Sequence, residues 1–323
     1  MNRLGTIAVA SLSGALAFST HLAAQPRRAL TIASGSVDGV YYPIAGAMSR
    51  ITSDARDLNV RATVQSSAGS VENVQLIRSG EVDFALLQND IAYYAFNGVE
   101  LGALAGKPVK SMAGVFTVYP EPVHIVVTQA SGVKSPRDLR GKRVALGPPG
   151  SGTEQNALQI LGAHGIGEGD LRMSARISFA AAADQLKAGV VDAAFFTVAL
   201  DAAVVADALS SGKVGLVGVG RTAGEALESK YPFYTMGKIP ANTYKGQERE
   251  IETPVVMAML VARTGLAEML VYRFTKAIFD NLPQFHAAHA AARSLTLQTA
   301  LVGMALPLHP GAERFFKERG IAR

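Results

Sequence analysis

Three stretches of this sequence place glycines and hydroxyl residues where a strand pattern gives way to a helix pattern: Gly35-Ser36-Val37-Asp38-Gly39, Ser66-Ser67-Ala68-Gly69-Ser70 and Gly147-Pro148-Pro149-Gly150-Ser151-Gly152-Thr153. A helix start leaves backbone N–H groups without intrahelical partners and carries a partial positive charge. It can hold a carboxylate or phosphate without help from a lysine. Taken singly, each loop also reads as an ordinary helix cap, and Ser151 and Glu154 have capping-box spacing. Their occurrence in two separate parts of the chain raises the binding reading. In open α/β sheets ligands sit beyond the carboxyl ends of the strands, and two such ends face to face make a cleft lined with backbone donors and small hydroxyls. That is a site for a small anion.

Other chemistries find less support. The Gly147–Thr153 loop lacks the Gly-Lys-Ser/Thr ending of a nucleotide triphosphate loop, and Gly35-x-x-x-Gly39 is not the dinucleotide fingerprint. No Gly-x-Ser-x-Gly elbow is present. The chain has no cysteine, which removes disulfides, thiolate catalysis and cysteine metal sites. His286 and His289 are three apart but have no acidic neighbour, so they read as solvated helix residues rather than metal ligands. His309, before Pro310, reads as a turn residue. Glu121 and His124 read as an interlobe hydrogen bond; a pair alone makes no catalytic mechanism. No catalytic residue, metal or cofactor is expected.

The elements that must position these loops alternate. A strand at 30–34 leads through the first loop to a helix from about Tyr41 to Ser53, with Pro43 in its first turn. A strand at 60–65, a helix at 71–78, an apolar strand at 82–87 and a helix at 89–97 follow. This βαβαβ rhythm predicts a doubly wound parallel sheet. Two strand-like runs, 112–119 and 123–128, flank Pro120-Glu121-Pro122, and the prolines predict a break there and a crossing into a second lobe. The scheme then repeats: strands at 143–146, 177–180, 190–197 and 214–219, helices at 154–164, 182–188 and 201–209. A β-rich run at 253–261 closes a return, and helices are predicted at 266–282, 298–304 and 311–319.

Length and charge bound the class. The 323 residues suffice for two medium domains. Lys and Arg exceed Asp and Glu, 31 to 26, but are scattered, so no nucleic-acid stripe is expected. Arg3, the uncharged run Leu4–Phe18 and His21-Leu22-Ala23-Ala24-Gln25 have the order of a cleaved secretory signal, assigned to residues 1–24. The apolar run is shorter than the roughly 20 residues of a membrane span. The expected product is exported, periplasmic and not inserted in the membrane.

A series of motifs in fixed order carries a family resemblance: Gly-x-x-x-Gly-Val-Tyr-Tyr-Pro at 35–43, Gly-Ser-Val-Glu-Asn at 69–73, Gly-Glu-Val-Asp-Phe-Ala-Leu-Leu-Gln-Asn-Asp at 80–90, Tyr-Pro-Glu-Pro-Val-His at 119–124, Leu-Arg-Gly-Lys-Arg-Val at 139–144, Gly-Pro-Pro-Gly-Ser-Gly-Thr at 147–153, Asp-Ala-Ala-Phe-Phe-Thr at 192–197, Lys-Tyr-Pro-Phe-Tyr at 230–234 and Pro-Leu-His-Pro-Gly-Ala at 307–312. The chain resembles the TAXI family of TRAP-transporter solute receptors. The resemblance implies a type II periplasmic-binding-protein-like fold, two doubly wound α/β lobes with a hinge, that closes on a ligand and docks on TRAP membrane permease subunits driven by an ion gradient. It implies a small organic acid or amino acid as ligand, such as glutamate, glutamine or 2-oxoglutarate, and no enzymatic turnover. A periplasmic sensor for a signalling receptor and an enzyme on the same bilobal fold are the alternatives.

Residue by residue, the resemblance implies ligand contacts from Ser36 and Tyr42 in the first loop and helix start, Asn73, Gln88 and Asn89, then Ser151, Gly152 and Thr153 at the second helix start, and Thr197. Ser151 and Thr153 would hold a carboxylate, and Gln88 and Tyr42 the remainder of the ligand. Asp38 stands where the family has glycine. It would either face the cleft and repel a dicarboxylate or point outward. The lobes are drawn at 26–119 plus 228–323 and at 120–227.

Overall fold

The computed structural model describes residues 26–101 and 105–321, so the signal assigned to residues 1–24 lies outside the described residues. The chain begins with β1 (Arg28–Ala33), α1 (Tyr41–Asp54), β2 (Val60–Gln65), α2 (Ser70–Ser79), β3 (Phe84–Gln88) and α3 (Asn89–Asn97). β1 pairs in parallel with β2 and β3, as the βαβ rhythm requires. Every residue of β3 is buried, which explains its unbroken apolar run: helices cover both faces.

β4 (Met112–Thr128) corrects the first expectation, because it is one uninterrupted strand of 17 residues rather than two runs broken at the prolines. β10 (Ile251–Arg263) pairs with it as far as Pro122, and a different neighbour, β7 (Ala193–Thr197), takes over at Val123. Pro120 and Pro122 are two residues apart and so turn their missing N–H groups to the same edge of the strand. They sit where that strand exchanges partners, a position where proline is tolerated within a sheet.

The second part of the chain runs β5 (Arg143–Ala145), α4 (Gly152–Ala163), β6 (Met173–Ala175), α5 (Phe179–Lys187), β7 (Ala193–Thr197), α6 (Ala203–Ser210), β8 (Val214–Val217), α7 (Arg221–Lys230), β9 (Thr235–Ile239) and β10 (Ile251–Arg263). The strand expected at 177–180 lies earlier, at Met173–Ala175. Ser178 instead caps α5, its hydroxyl accepting from Ala181 N–H. α8 (Glu268–Asp280), α9 (Leu282–His286) and α10 (Pro310–Glu318) complete the fold. The helix expected at 298–304 is a series of turns.

The strand order is β2-β1-β3-β10-β4-β7-β5-β6, with β8 on β4 and β9 on β10. β2, β1, β3, β10 and the first half of β4 form the first lobe's sheet; the second half of β4 with β7, β5, β6 and β8 forms the second. Two apolar layers bury the faces: one packs α1, α5, α6, α8 and α10, the other α2, α3, α4 and α7. The lobe borders drawn from sequence cut through elements. That at 119/120 falls inside β4 and that at 227/228 inside α7, and neither element is interrupted there. The long strand β4 pairs in both sheets and so passes between the lobes.

Candidate functional site

Between the lobes lies a cavity of about 40 Å³, a few times the roughly 10–15 Å³ that a single water needs. It is walled by the starts of four helices: Tyr41 of α1 and Ser70 of α2 from the first lobe, Gly152 and Thr153 of α4 and Phe179 of α5 from the second. The four starts are not equivalent. At α2, the N–H groups of Val71 and Glu72 both donate to the carbonyl of Gly150, which belongs to the other lobe, at 3.1 Å. At α5, Ala180 N–H donates to the Asp38 carboxylate of the first lobe at 2.8 Å. These two helix starts are plugged across the cleft. α1 has no side-chain cap. At α4 the Ser151 hydroxyl takes only the N–H of Glu154. The first N–H groups of α1 and α4, those of Tyr41 and Tyr42 and of Gly152 and Thr153, have no intrahelical acceptor.

The α4 loop is braced from behind. Glu154 accepts from Gly150 N–H at 3.0 Å, and the Arg176 guanidinium holds the other Glu154 oxygen at 2.6 Å. Gly147 has φ +114°, a left-handed conformation, and a Cβ there would press on Thr153. Gly152 lies against the Gln88 side chain at the end of β3, so the two lobes touch here without room for a methyl group. Thr153 Oγ1 accepts from Thr197 N–H at 3.2 Å, tying the α4 start to the end of β7. Gln88 and Thr197 both line the cavity, are almost fully buried, and carry side-chain oxygens without a hydrogen-bond partner. A buried polar atom left unpaired is costly, so two at one cavity mark a place where a ligand would complete the bonding.

Glu121 sits at the floor, on β4 immediately before the partner exchange, and is 2% exposed. Its carboxylate accepts from the Tyr41 hydroxyl at 2.8 Å. Burial pushes its pKa up to about 8 and the charge of Asp90 adds to this, while the Tyr41 and Tyr119 hydroxyls pull the other way. At neutral pH the group is therefore mostly uncharged. No Lys, Arg or His stands among the described cavity-lining residues. A second interlobe contact lies outside the cavity: Asn156 of α4 donates to Asp90 of α3 at 2.9 Å and to Tyr234.

Of the residues singled out in the sequence, Ser36, Gln88, Ser151, Gly152, Thr153 and Thr197 are brought together around this cavity. Three are not. Tyr42 turns outward and is 38% exposed, and its neighbour Tyr41 faces the cavity instead. Asn73 is fully buried and bonds the carbonyls of Ser34 and Leu86, bracing β1 and β3. Asn89 bonds Gly303 and Met257 and so ties α3 to the chain's return. Asp38 neither faces the ligand nor points away, but caps α5 of the other lobe. Glu121 and His124 do not bond each other: His124 contacts Phe196 and the Tyr244 hydroxyl. His286 bonds Leu295, His289 caps the short helix at Ala290–Ser294, and His309 caps α10. Sequence reasoning missed Tyr41, Ser70 and Glu121 as cavity residues. The signal for Glu121 was its place between two prolines, a poor setting for a structural carboxyl inside a strand.

A family model described as the NMT1-like family matches residues 32–320. Among solved structures, the chain is similar to a Xanthomonas citri protein bound to ATP, at 14% identity over 90% of this chain and 94% of that one, TM-score 0.53. It is similar to PhnD1 of Prochlorococcus marinus in complex with methylphosphonate, at 14% identity over 82% and 89%, TM-score 0.53. It is also similar to a binding protein component of an ABC phosphonate transporter from Pseudomonas aeruginosa, at 14% identity over 82% and 79%, TM-score 0.51. The fold is thus the periplasmic-binding-protein-like α/β fold expected from the sequence. No helix among the described residues is long and apolar enough to cross a membrane.

Proposed function

The chain belongs to the NMT1-like family, and we propose that it is a periplasmic solute receptor that captures a small carboxylate and delivers it to a membrane transporter of the TRAP type. The carrying observation is the pair of open helix starts, α1 and α4, facing one cavity from opposite lobes with no basic side chain between them. Such ends stabilise a carboxylate by partial charge and N–H donors alone. Ser36, Ser151 and Thr153 add hydroxyls, as does the unpaired Thr197 Oγ1, while the unpaired Gln88 amide oxygen can only accept and calls for a donor on the ligand. The small volume favours a ligand of a few carbons over a nucleotide. Closure is a hinge motion carried by β4, the strand that pairs in both lobes' sheets. Export by the signal at residues 1–24, binding without turnover, and lobes at 26–119 plus 228–323 and at 120–227 belong to the same reading. Motif order along the chain supports the TRAP partner; a binding protein of similar fold serves an ABC transporter, so the genes beside this one decide between a TRAP permease and an ATPase-driven one.

The test is a thermal-shift screen of the protein, refolded to strip carried-over ligand, against small carboxylates, amino acids, sugars and nucleotides. A ligand of the folded state raises the melting temperature by mass action. A large shift with an acid or amino acid of four or five carbons is expected. A shift only with sugars or nucleotides would overturn the reading.

A further inference from the structure

The cavity has a polarity that narrows the ligand further. Its helix starts lie on the two walls, and Glu121, the one carboxyl among its described lining residues, lies on the floor. The groups facing Glu121 are Tyr41 from α1 and Tyr119 from its own strand, with Asp90 of α3 further off; none is a cation. A carboxyl buried without a cationic partner is costly in its charged form and adds nothing to closure in its neutral one. Closure itself is served by other groups, Asp38 on α5 and Gly150 on α2. Glu121 is thus a buried acid that the rest of the fold does not employ, placed at the hinge and open to the ligand space.

We propose that Glu121 is the ammonium-recognising residue of this site, and that the ligand is a zwitterionic amino acid whose carboxylate lies at the starts of α1 and α4 while its amine meets the Glu121 carboxylate. This rests on the receptor reading above and names the substrate class within it. The physical argument is one of charge matching. A simple dicarboxylate brings a second negative charge to a cavity whose floor is an acid, so Glu121 must stay protonated. An amino acid brings a positive group that replaces the missing cation and forms a charge-assisted hydrogen bond. The proton balance differs accordingly. In the ligand-free site Glu121 is mostly protonated at neutral pH, because burial raises its pKa to about 8. Binding an ammonium ionises it, and the proton passes to the buffer.

The sign of the pH effect follows. Because the free site holds a proton that the amino-acid complex lacks, affinity for the amino acid rises with pH, approaching tenfold per unit below about pH 8 and levelling above it. A ligand that requires neutral Glu121 behaves oppositely and weakens as pH passes about 8.

The experiment is isothermal titration of the stripped protein with L-glutamate, L-glutamine, 2-oxoglutarate and glutarate, a series that keeps the carbon count and changes the amine. Each titration is run at pH 6.5, 7.0 and 7.5 in buffers of different ionisation enthalpy, which counts released protons without any mutation. Expected are binding of glutamate or glutamine at least tenfold tighter than of the two amine-free acids, and net release of protons to the buffer at pH 7 on binding the amine-bearing acids. Glu121→Gln keeps an acceptor for Tyr41 and should abolish the proton release. It should also weaken the amino acid at least tenfold while sparing 2-oxoglutarate. Equal or better binding of 2-oxoglutarate or glutarate, with no proton released, would overturn the assignment and leave the receptor reading standing. Failure of all four acids to bind would overturn both.

Discussion

Four helices begin at the cleft, and their starts divide into two pairs. α1 and α4 leave their first N–H groups to the cavity, whereas α2 and α5 give theirs to the opposite lobe, to the Gly150 carbonyl and the Asp38 carboxylate. Each lobe contributes one of each kind. The four ends share the same backbone chemistry, and glycine-and-hydroxyl loops precede the open starts of α1 and α4 and the plugged start of α2 alike, so neither feature separates the two roles. What separates them is the group across the gap. A helix start opposite a loop of the other lobe becomes a latch, and one opposite empty space becomes a binding surface. The same physical device therefore holds the ligand and holds the lobes together around it.

The sharpest way to break this arrangement is at Gly152, where the open start of α4 touches Gln88 of the first lobe. Gly152→Ala places a methyl group into the Gln88 amide, which is 3% exposed and has no free side to move to except the cavity. Either the lobes stay further apart or Gln88 fills the ligand space. Both outcomes remove binding, and the expected loss is on the order of 100-fold in affinity, or about 3 kcal/mol, measured by calorimetry, with the melting temperature of the empty protein little changed. Unaltered affinity would show that the lobes do not meet at this point when ligand is bound.

A latch should act on closure without altering ligand choice. Asp38→Ala removes the acceptor for Ala180 N–H, a loss comparable to that of a helix cap, about 0.5–2 kcal/mol. Affinity should fall roughly 3- to 30-fold for every ligand alike, and Asp38→Asn should recover much of it. This differs from the cleft-facing alternative of the sequence reading, in which Asp38 selects among ligands, and from the outward-facing one, in which it has no effect. A change in ligand ranking, rather than a uniform loss, would return Asp38 to the binding surface and undo the division between latch and site.

The fold was largely legible because its signals are local. The buried runs of β3 and β7 and the glycine loops before α1 and α4 each follow from burial or backbone sterics within a few residues. Expectations failed where the deciding neighbour was distant in the chain. Pro120 and Pro122 break an isolated strand, but not one that changes partners just after them, and that exchange depends on β10, which begins 129 residues after Pro122. Asn73 and Asn89 look like cavity residues by position, yet their amides are consumed by carbonyls of β1, β3 and the chain's return. Asp38 is invisible as a latch until α5 stands opposite. The site was thus readable as a set of loops but not as an arrangement of charges, and Glu121, the only carboxyl among its described lining residues, was read as part of a structural pair.

The smallest expected effect tests how finely the open start of α1 is aimed. Tyr41 and Tyr42 are adjacent, and successive residues on a helix point about 100° apart, so only one of the two can face the cavity. The sequence favours Tyr42 by its match to the family motif. The structure turns Tyr42 to solvent and points Tyr41, 8% exposed, at Glu121. Tyr42→Ala should therefore leave affinity within about twofold, because the Tyr42 N–H, the part of that residue at the helix start, survives the substitution. Tyr41→Phe deletes only a hydroxyl, yet it should cost more, about tenfold in affinity for an amine-bearing acid. The Tyr41 hydroxyl holds one Glu121 oxygen, and without it the carboxylate loses a bond that favours its charged form. Calorimetry on the two variants side by side decides the matter. A larger loss from Tyr42→Ala than from Tyr41→Phe would mean that α1 rotates when ligand binds, and that its start is aimed by the ligand rather than by the fold.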